Sequence, residues 1–354
     1  MSNLFGVIRQ IYGALSDEIS RKIFIARLDY SATGDGGFVE DIPWQYRNIN
    51  ADILMFANKL YENQKDYLVV FGAGNNGRGL VQFLKKVKFS CFVDNNKKKE
   101  YLVGLPVYSL EEYREKYDIE RTKFVIAVSS KEFIKQITEQ LKGIGVSEDC
   151  IVTIADWRNN TSQYFDVFTP HVNESFVDCG CYDGSTAFRF AGWCAEGGVS
   201  YEKIWSFEPD RNSYEKCKGI LGTLAKCEVH PYGISDKAGT VSFFANGHED
   251  ARIINGKIVD SSQVESIEVV QLDEFLKGEK VTFIKMDIEG SEYDALKGAS
   301  QIIIDQKPRL AISVYHKDDD IITIPQLLLS LRPDYKFFLR HYSLLSNEIV
   351  LYAE

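Results

Sequence analysis

Acidic residues follow three apolar runs in the C-terminal half of the chain, and a glycine-rich turn accompanies the first. The first run ends at Asp178 in the stretch VDCGCYDGSTA, where Gly180 and Gly184 let a ligand approach the backbone closely. The two later runs end at Glu208 and Asp236. Because ligands of open parallel sheets bind at the carboxyl ends of the strands, we expect these acids to line one site.

Three carboxylates suit a ligand that carries hydroxyl and amino groups and positive charge but no phosphate. Glu208 can accept from both hydroxyls of a ribose, Asp236 from an adenine amino group, and Asp178 can lie near a cationic amino-acid tail. A phosphate would instead prefer backbone N–H groups and cations. The pattern predicts an adenosyl ligand with an ammonium and a sulfonium group, although each acid taken alone also fits a solvated strand end or a helix cap.

The ends of the next two strands carry residues that could act as the base that removes a proton from a hydroxyl group. Asp287 ends a strand that we expect beside the strand of Asp178, and Lys285 lies two residues earlier on the same face, where it can pair with a carboxylate. His316 follows the next strand, so it should reach the same edge of the sheet. Either His316 or Asp287 is a candidate to take a proton from an alcohol, and a histidine that only orients the alcohol stays an alternative.

Two further acids lie near the start of the helix that follows Asp287. Glu289 and Glu292 either contact a substrate or are helix N-terminal acids favoured by the helix dipole, and the sequence leaves both interpretations open.

The seven cysteines lack metal-ligand spacing, because the Cys179-Gly-Cys181 pair has no second cluster to complete a zinc site. We therefore predict no metal site from the cysteines, and metal dependence stays open. The seven cysteines also lack the paired spacing of disulfides, which predicts unpaired cysteines in a reducing, cytoplasmic compartment.

An earlier glycine loop, VVFGAGNNGRG, has the spacing of dinucleotide-binding turns. Its glycines are Gly72, Gly74 and Gly77, and Asp94 ends the next strand, where a ribose-binding acid would lie. We predict a nucleotide or a nucleotide sugar as the ligand of this second site. The alternative is that the glycines only permit tight packing of the strand against the helix.

Alternating strands and helices position both loops. We predict a mostly helical extension over residues 1–66, a small Rossmann-like α/β domain over 67–157 and a second α/β domain over 164–354. In this last domain, five largely parallel strands and a terminal antiparallel pair predict a doubly wound, seven-stranded sheet. A Ser291-x-x-Asp294 pattern predicts a capping box at the start of one helix.

The composition is that of a soluble globular protein. The chain has 354 residues, of which 45% are hydrophobic and 26% charged, and its formal net charge is −10. That charge disfavours a nucleic-acid partner, which usually needs a basic surface. The N-terminal stretch predicts an amphipathic helix without a signal peptide, and no segment reaches the roughly 20 apolar residues of a membrane span. The oligomeric state stays open.

From about Tyr164 to Glu354 the chain resembles the FkbM-type S-adenosylmethionine-dependent methyltransferases. The resemblance rests on several blocks of sequence, namely FVDCGCYDGSTA, FEPD, GISDKAGTVSF, LDEFL, FIKMDIEGSEYDALKGA and LAISVYHKDDDIITIP. It implies a methyltransferase sheet, S-adenosylmethionine as the cofactor, and O-methylation, often of a sugar hydroxyl. Members of the family commonly have Val-Gly-Ala-Asn where this chain has Cys179-Gly180-Cys181-Tyr182. The first domain resembles the small Rossmann-like modules found beside sugar-modifying enzymes.

We therefore predict an O-methyltransferase that acts on a hydroxyl of a sugar or glycan-type small-molecule acceptor. Two alternatives stay open. The first is an NAD-dependent sugar oxidoreductase that uses the earlier glycine loop, although no pattern for hydride transfer follows that loop. The second is a non-catalytic partner that binds a nucleotide sugar. The sequence identifies neither the acceptor nor the position of its hydroxyl.

Overall fold

The computed structural model describes most of the chain, in nine segments. These are residues 4–39, 59–60, 65–84, 87–128, 130–154, 163–244, 252–253, 264–343 and 346–354. The chain divides into two compact units. The large unit comprises Met1–Phe24, Thr161–Arg340 and Ile349–Glu354, and the small unit comprises Ile25–Asn160 and His341–Glu348. The extension expected over residues 1–66 is thus divided between the units, and residues 158–162 of the expected linker lie outside the described segments.

The small unit is built on a six-stranded sheet. Its strands are β1 (Tyr67–Phe71), β2 (Cys91–Val93), β3 (Tyr101–Leu102), β4 (Leu105–Tyr108), β5 (Thr122–Ile126) and β6 (Ile151–Thr153). The order across the sheet is β3-β4-β2-β1-β5-β6, and every pair is parallel except β3 with β4. Val70 and Val125 pack in one apolar cluster and their neighbours Phe71 and Phe124 in another, because alternate residues of a strand face opposite sides. The sheet is therefore buried on both faces, as parallel strands covered by helices require.

The helices between these strands begin at identifiable signals. They are α3 (Asn75–Phe83), α4 (Leu110–Lys116) and α5 (Lys131–Gly143). Helix α4 starts with a complete capping box, in which the Ser109 hydroxyl accepts from the Glu112 N–H and the Glu112 carboxylate accepts from the Ser109 N–H. The hydroxyl of Ser130 accepts from the N–H of Phe133 at the start of α5.

The large unit is built on a seven-stranded sheet. Its strands are β7 (Glu174–Cys179), β8 (Tyr201–Phe207), β9 (Cys227–His230), β14 (Phe283–Met286), β15 (Arg309–Ser313), β16 (Phe337–His341) and β17 (Ile349–Ala353). The order is β16-β17-β15-β14-β7-β8-β9. The five strands from β15 to β9 are parallel, and β17 runs antiparallel to β15. Five parallel strands and a terminal pair are the arrangement that the sequence predicts for this region.

Helices connect the parallel strands of the large unit. The helices of this unit are α1 (Leu4–Ala14), α6 (Ser185–Glu196), α7 (Arg211–Leu221), α8 (Leu272–Phe275), α9 (Glu292–Lys297), α10 (Ser300–Gln306) and α11 (Asp320–Leu331), and α2 (Glu18–Thr33) crosses the boundary between the units. The capping box predicted at α9 is wrong, because the Ser291 side chain makes no cap hydrogen bond. Ser291 has φ −99° and ψ 4°, whereas a capping residue needs extended backbone. The Glu292 carboxylate instead accepts from the N–H of Ile288 at 2.8 Å.

A second, four-stranded sheet belongs to the same unit. Its strands are β10 (Gly233–Ile234), β11 (Gly239–Phe244), β12 (Arg252–Ile253) and β13 (Val264–Val270), in the order β10-β13-β11-β12. The sequence EVHPYGIS predicts one strand, but the main sheet keeps only β9, which ends at His230. Pro231 follows and has no N–H for the ladder, and the chain then pairs with β13. Asp236 therefore follows a strand of the small sheet, which corrects the expectation that it ends a strand of the main one.

A buried ion pair joins the amino ends of the main strands. Glu174, the first residue of β7, is fully buried and pairs with Arg309, the first residue of β15. The Glu174 carboxylate also accepts from the Thr282 hydroxyl and from the N–H of His171, and Arg309 donates to the carbonyl of Thr169. This network lies at the edge of the sheet opposite to the strand ends that carry the predicted site residues.

We expect Arg309→Met to lower the free energy of unfolding by about 3–5 kcal/mol, because the change leaves Glu174 buried without its cationic partner. Urea unfolding followed by the fluorescence of Trp193, whose ring centroid lies 5.6 Å from the Arg309 guanidinium, measures the loss. The control is Lys277→Met, which removes the partner of Glu274 in an exposed pair and should cost less than about 1 kcal/mol. Equal losses in the two variants would contradict a stabilising role of the buried pair.

Candidate active site

Strands β7 and β14 bring Asp178 and Lys285 side by side at the carboxyl edge of the main sheet. The two residues are register partners, and the Lys285 Nζ lies 3.0 Å from the Asp178 Oδ1. Both side chains are buried, and Lys285 also donates to the carbonyl of Gly180 at 2.7 Å. Burial raises the pKa of Asp178, although the nearby charge of Lys285 acts in the opposite direction. Burial alone would lower the pKa of Lys285, but the charges of Asp178 and Asp287 outweigh it and raise that pKa.

The glycine turn after β7 is shaped by close contacts with its neighbours. Gly180 has φ +77°, and a Cβ atom there would lie 2.0 Å from the carbonyl oxygen of Asp287. Gly184 has φ +82°, and a Cβ atom there would lie 2.9 Å from the Leu221 side chain. The N–H groups of Gly180 and Cys181 both donate to the carbonyl of Phe207. Packing therefore requires both glycines, and the turn is held against the ends of β8 and β14.

Glu208 lies directly beside this turn. Its carboxylate accepts from the N–H of Tyr182 at 2.8 Å and from the N–H of Asp210 at 3.0 Å. Tyr182 has φ +50°, so a non-glycine residue takes up left-handed backbone at this point. Burial raises the pKa of Glu208 to about 7 despite the two backbone hydrogen bonds. Each carboxylate oxygen has a second lone pair, which stays available for a hydroxyl donor.

A disulfide between Cys181 and Cys217 connects the turn to helix α7. The two residues are 36 positions apart in the sequence, and both are buried. The expectation that the cysteines are unpaired is therefore wrong at these two positions. No spacing in the sequence indicates this pair, because the contact depends on how α7 packs against the turn.

Asp236 has a cationic partner within the chain. Its carboxylate lies 3.1 Å from the Lys297 Nζ, and this contact lowers the pKa of Asp236. The side chains of Asp236 and Lys297 are both partly exposed. The main-chain carbonyl of Asp236 accepts a hydrogen bond from the side chain of Gln271. An adenine amino group would therefore compete with Lys297 for this carboxylate.

Asp287, Glu289, Glu292 and His316 form a cluster at the carboxyl ends of β14 and β15. The His316 Nε2 lies 3.4 Å from the Asp287 Oδ1 and 3.5 Å from the Glu289 Oε2. The His316 Nδ1 lies 3.0 Å from the Glu292 Oε1. The ligand atoms of Asp287, Glu289 and His316 lie within 4.8 Å of one another, a separation that a metal ion can bridge. The structure thus brings together the four side chains that the sequence assigned to catalysis and substrate binding near this strand end.

The charges of the cluster set the protonation of its members. Burial disfavours the charged form of His316, but its contacts with Glu289 and Glu292 and the charge of Asp287 raise the pKa to about 11. Burial also opposes ionisation of Asp287, but the charges of His316 and Lys285 lower the pKa of Asp287. Burial raises the pKa of Glu289. At neutral pH His316 therefore carries a proton on each ring nitrogen, which leaves it no lone pair for an incoming proton.

Two tyrosines belong to the site and were missed by the sequence analysis. The Tyr164 hydroxyl donates to the Asp287 Oδ2 at 2.7 Å, and the Tyr315 hydroxyl lies 3.4 Å from the Asp287 Oδ1. Tyr164 precedes Asp287 by 123 positions, so no local spacing could have indicated the contact. Tyr315 stands next to His316, and its place in the block SVYHKDDD was the signal available.

The glycine loop of the small unit is largely explained by its own packing. The Asp94 carboxylate accepts from the N–H groups of Ala73 and Asn96, each at 2.7 Å. Gly72 has φ +116°, and a Cβ atom on Gly77 would lie 2.0 Å from the carbonyl oxygen of Gly72. A Cβ atom on Gly74, which caps helix α3, would meet nothing within 4 Å. Among these three glycines, only Gly74 is not required by a turn or by packing.

We expect Gly77→Ser to lower the melting temperature of the small unit by several degrees, because its Cβ atom collides with the Gly72 carbonyl. The matched variant Gly74→Ser should leave that temperature unchanged or raise it, since serine is a good helix N-cap residue. Circular dichroism during heating measures both variants. Comparable losses at the two positions would contradict the packing explanation of Gly77.

Comparisons with known proteins give similarities for segments of both units. Residues 178–337 match the family model of the methyltransferase FkbM domain, so this segment of the large unit is similar to that domain. Residues 64–152 match the family model described as C2185-like, N-terminal.

Individual proteins and solved structures are also similar to parts of this chain. The chain is 28% identical over 145 residues to the 2-O-methyltransferase NoeI of Sinorhizobium fredii, which is 36% of this chain and 58% of that protein. The crystal structure of a methyltransferase FkbM from Methylobacillus flagellatus is similar in fold, with a TM-score of 0.51 and 22% identity over 94% of this chain and 98% of that one. The structure of Aeropyrum pernix fibrillarin, solved with bound S-adenosyl-L-methionine, has a TM-score of 0.33 and 9% identity over 53% of this chain and 69% of that one. No helix among the described residues has the length and apolar character needed to span a membrane.

Proposed function

We propose that the large unit transfers a methyl group from S-adenosylmethionine to a hydroxyl group of a sugar or glycan-type acceptor. The observation that carries this proposal is the position of the Gly180 turn against Asp287, which puts a ligand loop and an ionised carboxylate at one sheet edge. The relative NoeI is named a 2-O-methyltransferase, which favours oxygen as the acceptor atom. The match covers little more than half of that relative, so we assign the acceptor only by class.

The residues beside the turn fit the cofactor in different ways. Glu208 has lone pairs left after its two backbone hydrogen bonds, and we assign it to the ribose hydroxyls. Asp178 is fully buried and paired with Lys285, so we assign it to holding the turn and no longer to an ammonium tail. When bound, S-adenosylmethionine supplies a methyl group on a sulfonium that is already a good leaving group, and positioning of the acceptor then supplies much of the rate.

We assign the proton acceptor to Asp287. His316 is protonated at neutral pH in this environment, so it positions Asp287 by charge and does not remove a proton itself. Tyr164 donates to the second oxygen of Asp287 and fixes the direction of the carboxylate. Glu289 is the member of the cluster whose side chain is most exposed, and we assign it to the acceptor, whereas Glu292 is fully buried and supports His316.

The structure gives less support to the alternatives. Packing or turn geometry accounts for Gly72 and Gly77, which weakens the case for a dinucleotide in the small unit. A nucleotide or nucleotide sugar near Gly74 stays a prediction. We propose no second function.

We expect Glu208→Gln to weaken binding of S-adenosylhomocysteine by about 1.5–3 kcal/mol, because the change removes a charged hydrogen-bond acceptor from the ribose. Isothermal titration calorimetry on folded protein measures the change. Glu228→Gln is the matched control, since Glu228 pairs with Lys203 on the adjacent strand and is partly exposed. Gly74→Ser should also bind like wild type. An unchanged affinity of Glu208→Gln would remove Glu208 from the cofactor site.

We expect Asp287→Asn to reduce kcat by about 10²–10⁴-fold, because the amide cannot take the proton of the acceptor hydroxyl. The assay follows transfer of the labelled methyl group from S-adenosylmethionine to a panel of sugars and glycans. Donor affinity, measured by calorimetry, should change little, which separates loss of chemistry from loss of binding. Transfer to an acceptor at the wild-type rate would show that Asp287 is not the proton acceptor.

A further inference from the structure

The cluster at the carboxyl ends of β14 and β15 has the donor atoms of a metal centre. We propose that Asp287, Glu289 and His316 bind a divalent transition-metal ion such as Mn²⁺ or Zn²⁺. One ligand atom of each residue lies within 4.8 Å of the others. Ligands at about 2.1 Å from a tetrahedral ion are separated by roughly 3.4 Å. The His316 Nε2 lies 3.4 Å from the Asp287 oxygen and 3.5 Å from the Glu289 oxygen, which is close to this separation.

The imidazole of His316 supplies an independent observation. Its side chain is only 8% exposed, and its Nε2 makes no hydrogen bond. The distances from Nε2 to the two carboxylates exceed the 2.7–3.2 Å that is usual for an N–H···O hydrogen bond. A buried polar group without a hydrogen bond needs an explanation, and a shared cation between Nε2 and the two oxygens provides one. The ion would take the place of the Nε2 proton that His316 carries in the metal-free site, and that proton is released on binding.

The opposite side of the same ring has the support that metal-binding histidines usually have. The His316 Nδ1 lies 3.0 Å from the Oε1 of Glu292, and the Glu292 side chain is fully buried. Histidines that bind a metal through one nitrogen commonly donate the other N–H to a carboxylate, which fixes the orientation of the ring. The Ile288 N–H in turn donates to the same Glu292 oxygen and holds it in place. Glu292, His316 and the two outer carboxylates thus reproduce a carboxylate–histidine–metal arrangement.

The local charge also favours a cation. Asp287, Glu289 and Glu292 bring three carboxylates to a single imidazole, while the nearby Lys285 is already paired with Asp178. Uncompensated charge in a buried site is costly, and a divalent ion would offset it. The imidazole nitrogen favours a transition-metal ion over Ca²⁺ or Mg²⁺, which prefer ligand sets made only of oxygen. If the proposed methyl transfer is correct, the ion would lie where the acceptor hydroxyl loses its proton and would lower the pKa of that hydroxyl.

Metal binding can be tested without donor or acceptor. The full-length chain is treated with a chelator and dialysed, and Mn²⁺ alone is then added while the electron paramagnetic resonance signal of the free ion is recorded. We expect one ion per chain. Glu289→Gln, which changes a partly exposed side chain, should weaken binding at least tenfold, and Glu292→Gln should weaken it by about 10–100-fold, as expected for a residue that supports a ligand. Glu228→Gln, away from the cluster, should bind like wild type.

A second probe keeps the test independent of any variant that fails to fold. Co²⁺ added to the wild-type chain should give visible absorption bands of a low-symmetry site with nitrogen and oxygen ligands, and Zn²⁺ should displace them more readily than Ca²⁺. The proposal is overturned if the wild-type chain leaves Mn²⁺ and Co²⁺ free, or if Glu289→Gln binds the ions as tightly as wild type. These outcomes are separate from the proposed function, because binding of S-adenosylhomocysteine is measured on the chelator-treated protein.

Discussion

A single buried ammonium group holds the edge of the sheet on which the site is built. The Lys285 Nζ contacts the carboxylate of Asp178 and the carbonyls of Gly180 and Cys179, so it joins β14 to β7 and to the turn that follows β7. Asp178 and Cys179 are buried, and a chain without this cation would keep the Asp178 carboxylate in the interior with no counterion. Such a loss typically costs several kcal/mol. The charge of Lys285 therefore stabilises the turn, together with the hydrogen bonds of Gly180 and Cys181 to the Phe207 carbonyl.

The same lysine connects the glycine turn after β7 with the acidic cluster around Asp287. Its charge lowers the pKa of Asp287, while the carbonyl of Asp287 is the group that excludes a side chain at position 180. The backbone of Asp287 thus fits against the turn, and its carboxylate faces Tyr164 and His316. The glycine turn after β7 and the acidic cluster around Asp287 therefore form one continuous set of contacts within the large unit.

The sequence predicted positions along the strands better than it predicted partners. Alternation of side chains along a strand predicted that Lys285 faces a carboxylate, and the rule that parallel strands end at one edge predicted that Asp287 and His316 meet. The first rule depends only on neighbouring residues and the second only on the order and direction of the strands, so both can be applied to a single sequence. Protonation depends on everything that surrounds a group, which is why His316 was a candidate base in the sequence and is held as a cation in the structure. The path of the chain after Pro231 and the contact of Tyr164 depend on long-range packing in the same way.

The two glycine loops show how far a glycine pattern in the sequence can predict a ligand-binding site. In both loops the steric test has the same result, because a Cβ atom would lie 2.0 Å from a carbonyl oxygen at Gly77 and at Gly180. In the small unit that carbonyl belongs to the loop itself, so the pattern serves the packing of one strand against one helix. In the large unit it belongs to Asp287, which follows the neighbouring strand, so the glycine brings the turn against the residue that we propose as the proton acceptor. Glycine spacing alone therefore does not distinguish a binding loop from a packed turn. The distinction comes from the neighbours of each loop: Gly180 packs against Asp287, whose carboxylate contacts Tyr164 and His316, and Glu208 lies beside the same turn.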